Sequence, residues 1–145
     1  HALAEPLFDR HPSTRLGAMF SLPFVVSAAV VAGRIDVESL TPDSATFRAA
    51  ETFSERVHVA SSPALTALLP GRRAAEVDIV LFSGEVLSAA TPNPVGDVDH
   101  FPLTHAQVLA KIERLVGSED AVRIDRVVAD VLHSSDVVRT LSTLP

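Results

Sequence analysis

The chain has 145 residues, 47% of them apolar and 21% charged, the mixture of one globular domain rather than a disordered segment. The absence of cysteine removes disulfides, thiolate metal sites and thiol nucleophiles, and the absence of Trp and Tyr leaves seven Phe as the only aromatic rings besides six His. A net charge of −6 gives no basic footprint for nucleic acid or an anionic membrane.

The most apolar run, SLPFVVSAAVVA (21–32), is internal. It is shorter than the ~20 residues a bilayer span needs, so it reads as a buried core helix, and the cytoplasm is the expected compartment. The chain begins at His1 without Met, which is compatible with a fragment of a longer protein.

Residues 1–13 read as irregular, with a short helix over 2–8 and a boundary at His11, because Pro12 disfavours helical backbone in the residue before it. Ser13 or Thr14 can cap a helix over 15–32 that is apolar all round. Pro23 predicts a kink or a late start, and Gly33 a stop. Thr41-Pro42 reads as an N-cap followed by proline, opening a helix over 42–53 that buries Ala45, Ala49, Thr52 and Phe53. RVHVA (56–60) alternates, with Val57 and Val59 inward, and predicts a short strand. A short helix over 63–69 follows.

Residues 75–82 and 85–90 flank Ser83-Gly84 and predict a hairpin with a two-residue loop. Thr104 with Gln107 forms a capping box for a helix to Val116, burying Val108, Leu109, Ile112, Leu115 and Val116. Gly117 ends it and Ser118 caps the next helix, with Ile124, Val127, Val128, Val131 and Leu132 on one face; a short helix over 136–144 closes the chain. The fold class is α+β, a small antiparallel sheet of about three strands packed with helices.

Candidate chemistry is sparse. The six His are scattered with no i,i+4 pair, so no zinc pattern forms and no metal or other cofactor is expected. The acidic loop Asp97-Val98-Asp99-His100 lacks the oxygen ladder of a calcium loop. Glycine-rich phosphate loops and a GxSxG elbow are absent, and Arg72-Arg73 reads as a solvated turn. His11, Ser13 and Arg15 gather at the start of the apolar helix, where backbone N–H groups and a guanidinium can hold a carboxylate. They are the candidate substrate-binding residues; the catalytic residues are unassigned.

Several segments, in order, resemble the C-terminal part of the 2-methylcitrate dehydratase (MmgE/PrpD) family. FSLPFVVSAAVVAG (20–33) is similar to its apolar FSLPY-type helix, and RIDVESL (34–40) to the connector that follows. Residues 56–89 resemble its strand, proline-containing crossover and hairpin; PLTHAQVLAKI (102–112) resembles a helix start; residues 127–144 resemble the closing helices. Met19 stands where relatives often carry a basic residue, and Phe24 where they carry Tyr.

The resemblance implies the lid portion of a lyase acting on a tricarboxylate-type substrate, often a homodimer. It implies residues 1–117 as a lid-like α+β domain and 118–145 as helices that pack on an N-terminal helical domain; that domain and the early part of the lid carry most of the acid/base groups and are expected to precede His1. Such a portion alone is expected to be inactive. The competing expectation is a stand-alone binding or oligomerisation module.

Overall fold

In the computed structural model, residues 7–142 are described; they belong to two compact units, one ending at Pro92 and one beginning at Asn93. The helix expected over 2–8 falls almost wholly outside the described residues, as does the end of the one expected over 136–144.

In the first unit, α1 (Arg15–Met19) is capped by Thr14, whose hydroxyl accepts from Gly17 N–H at 3.0 Å. The expected single helix is two. The chain breaks at Phe20-Ser21, and α2 (Leu22–Ala32) starts with Ser21 as its own N-cap, the Oγ accepting from Phe24 N–H at 3.1 Å. Pro23 therefore lies in the first turn, where its missing N–H costs no helical bond. Gly33, at φ +69°, closes α2 in the left-handed conformation.

Helix α3 (Ala45–Ser54) starts three residues later than Thr41-Pro42 suggested. Ser44 is its cap, Asp43 takes a positive φ of 68°, and the Thr41 hydroxyl donates back to the Val37 carbonyl instead. Its buried residues are Phe47, Ala50 and Ser54, whereas Ala45, Ala49 and Thr52 are exposed and Phe53 is half-buried. Both faces of this helix carry small residues, so the partner decides which one turns inward. That partner is Phe24 of α2, whose ring centroid lies 4.5 Å from that of Phe47. Ala18, Phe24, Ala28, Leu40, Phe47 and Ala50 make up the core cluster.

The strand expected over 56–60 is absent. Val57 and Val59 are half-buried while Arg56 and His58 are exposed, so the alternation is right, but the backbone pairs with no strand. The Val57 N–H donates to the Ser54 carbonyl and its own carbonyl accepts from Arg10. A short α4 (Pro63–Thr66), capped by Ser62, follows.

The sheet therefore has two strands rather than three, β1 (Ala75–Val80) antiparallel to β2 (Val86–Thr91), with Val80 opposite Val86 and Ala75 opposite Thr91. The loop is one residue longer than Ser83-Gly84. Gly84 N–H donates to the Leu81 carbonyl and Leu81 N–H to the Glu85 carbonyl, with Gly84 at φ +85°. This is a three-residue loop whose left-handed position needs glycine. Val77, Ile79, Leu87 and Ala89 share one face, Glu76, Asp78, Ser88 and Ala90 the other, and every residue of both strands is exposed.

In the second unit, α5 (His105–Val116) has the expected capping box. Thr104 N–H donates to Gln107 Oε1 at 2.8 Å and Gln107 N–H to Thr104 Oγ1 at 3.3 Å. Gly117, at φ +89°, ends α5 and also caps α6 (Ser118–Val131); Ser118 is the first residue of that helix, not its cap. Ala121 and Val127 are buried and Ile124 and Val131 half-buried, whereas Val128 and Leu132 of the expected face are exposed. On α5 only Leu109 and Ile112 of the expected face are half-buried; Val108, Leu115 and Val116 are exposed. Helix α7 (Val137–Leu141) is capped by Asp136.

Candidate functional site

The candidate residues lie on the segment that enters α1. Three polar contacts fix its path. Ser21 Oγ donates to the Asp9 carbonyl, Ser54 Oγ lies 2.9 Å from the Arg10 carbonyl, and Arg10 Nη2 donates to the Val57 carbonyl at 3.0 Å. Asp9 Oδ1 accepts from His11 N–H at 2.9 Å, and Pro12 is buried behind it. The turn is thus held from α2, from α3 and from the strand-like residues after α3.

His11 projects over α3. Its Nε2 lies 2.7 Å from Glu55 Oε1 and its Nδ1 3.8 Å from Glu51 Oε1, with the imidazole 63% exposed. Glu51 and Glu55 are four residues apart and so share one helix face, a spacing readable in the sequence but not singled out there. Ser13 and Arg15 are exposed, and among the described residues neither side chain has a partner. The N-cap role belongs to Thr14, which leaves the Ser13 hydroxyl open.

This geometry has a definite electrostatic character. Arg15 and Ser13 are open to an incoming carboxylate, while His11 is flanked by two carboxylates that oppose one. The five-residue α1 is too short for a strong N-terminal field, because the long helix that would have supplied it is interrupted at Ser21.

Of the other sequence candidates, the acidic loop at Asp97 is occupied by its own turn. Asp97 Oδ1 accepts from Asp99 N–H, His100 N–H and lies 3.0 Å from His100 Nδ1, so this carboxylate organises its own turn. Among the described residues, no group of three or more His, Asp or Glu is placed to hold a metal ion. A shallow concavity of about 390 Å³ on the hairpin is lined by Glu76, Asp78, Ser88, Ala89 and Ala90, an acidic surface unsuited to a polycarboxylate. Arg72 and Arg73 are exposed on the turn before β1.

The carboxyl of Asp36 is displaced in acidity. Arg34 Nε donates to its Oδ2 at 2.5 Å and Ser39 N–H to its Oδ1 at 2.9 Å, which holds it down at about 2 from 3.8. The effect is structural, since the buried Ser39 returns a bond to Asp36 and the turn leads directly to core Leu40.

The sequence model of the MmgE/PrpD C-terminal domain matches residues 2–134. The chain belongs to this family. Searches of curated proteins and of solved structures each returned no match. In this MmgE/PrpD C-terminal domain, the residues that carried the resemblance have structural work to do. Ser21 of FSLPF caps α2 and ties down Asp9, Pro23 sits where a first turn tolerates it, and Phe24 is fully buried in the core. No helix among the described residues is long and apolar enough to cross a membrane.

Proposed function

We propose that this domain acts as the lid portion of a 2-methylcitrate dehydratase-like lyase. It closes over a tricarboxylate-type substrate held against a helical domain that these residues do not contain. The observation that carries the reading is the family match across nearly the whole chain. Two surface features support it. Leu16, Met19 and Phe20 are 65%, 53% and 60% exposed around α1, beside the segment bearing His11, Ser13 and Arg15. An apolar rim next to open polar groups suits a face that closes on a partner and expels water.

In the whole enzyme the reaction is removal of a proton adjacent to a carboxylate with loss of water. The acid/base groups come from the helical domain, within hydrogen-bond reach of the substrate. Arg15 and Ser13 then contact a substrate carboxylate, and the assembly is a cytoplasmic homodimer.

The test is to incubate the purified chain with 2-methylcitrate, following water loss by product analysis and binding by amide chemical shifts. The reading expects no turnover, with shifts confined to residues around His11, Ser13 and Arg15. Turnover by the chain alone overturns the lid assignment, and unmoved signals at that segment remove the carboxylate contact.

The second reading, a stand-alone binding or oligomerisation module, is favoured by the hairpin, whose strands are exposed throughout. Sedimentation separates the two. A stable, monodisperse oligomer of the chain by itself supports the module.

A further inference from the structure

We draw no further inference here: the strongest candidate, the two-stranded hairpin with the exposed apolar row Val77, Ile79, Leu87 and Ala89 on one face, carries nothing because no feature of the structure identifies what covers it.

Discussion

Ser54 Oγ lies 2.9 Å from the carbonyl of Arg10, joining positions 44 apart in the chain. The same hydroxyl is 2.7 Å from the Glu51 carbonyl one turn back, so its single proton serves two acceptors at the end of α3. Ser54 is completely buried, and Arg10 returns to the same neighbourhood through its bond to Val57. The turn that bears His11, Ser13 and Arg15 is therefore anchored from inside the domain as well as by the Asp9 carboxylate.

Replacing Ser54 by Ala removes this anchor. The Arg10 carbonyl loses a partner while remaining partly enclosed, and the expected cost is about 1–2 kcal/mol. Urea denaturation of the full chain reads it as a lower midpoint at unchanged slope. Ser54→Thr keeps the hydroxyl and is the comparison that separates the bond from the packing. An Ala variant as stable as the parent would show that the contact contributes nothing.

Phe24 meets Phe47 at 4.5 Å with the rings inclined at 46°, and neither ring is more than 5% exposed. Phe24→Ala should cost about 3–5 kcal/mol through lost burial and the cavity left behind. Phe24→Tyr is the sharper test, because it adds one hydroxyl to a ring that is fully buried. In this core a phenol hydroxyl has to find a partner or lose about 1–3 kcal/mol. Thermal unfolding of both variants gives the order parent, Tyr, Ala. A Tyr variant at least as stable as the parent would mean that the ring edge reaches water or a polar group.

Much of the fold could be read from residues whose signals are local. The Thr104–Gln107 box, the Gly33 stop and the hairpin all depend on nearest neighbours along the chain, and all are present. What failed depended on choices between surfaces. The inward face of α3 was misjudged because Ala45, Ala49 and Thr52 look as suitable as Ala50 and Ser54 until Phe24 selects one side. Residues 56–60 have a strand's alternation without a strand's partner, since alternation specifies which side chains turn inward and says nothing of pairing. At the candidate site, His11, Ser13 and Arg15 could be placed together from their spacing. The Glu51 and Glu55 carboxylates could not, because that contact spans forty or more positions and depends on how the entry segment crosses α3.

The turn at Asp36 makes stability depend on pH at the acid end. Arg34 and Ser39 favour the ionised carboxylate and hold its pKa in the folded chain at about 2, against 3.8 ordinarily. On acidification the unfolded chain takes up the proton first. The contribution is therefore complete above about pH 4 and is lost as pH falls from there toward about 2. Asp36→Asn should flatten that part of the stability profile, and added salt should weaken the Arg34 component, which is exposed. Carboxyl carbon shifts against pH check it directly; a midpoint for Asp36 near the ordinary value would refute the assignment.

In the second unit, α5 contains no fully buried residue, so its N-terminal cap carries an unusual share of its stability. Thr104→Ala removes the bond to Gln107 N–H and should cost about 0.5–2 kcal/mol. Amide hydrogen exchange should quicken in the first turn of α5, whereas Thr104→Ser, which keeps the oxygen, should leave it slow. Equal exchange in the Ala variant and the parent would assign the helix start to packing alone.

The last prediction concerns the sign of charge around the entry turn. Glu55 approaches His11 at 2.7 Å and Glu51 at 3.8 Å, and all three side chains are exposed enough that these contacts stabilise folding by less than about 1 kcal/mol. Their larger effect is on a ligand, because two carboxylates beside His11, on the segment that also bears Ser13 and Arg15, repel the polycarboxylate proposed to bind there. Glu51→Gln together with Glu55→Gln should therefore tighten 2-methylcitrate binding several-fold with little change in unfolding midpoint, and Arg15→Gln should weaken it in either background. Chemical-shift titrations at two ionic strengths measure both effects, with the gain shrinking at high salt as exposed charges are screened. If the double Gln variant binds no better than the parent, the carboxylate does not approach this turn and His11, Ser13 and Arg15 lose their proposed role.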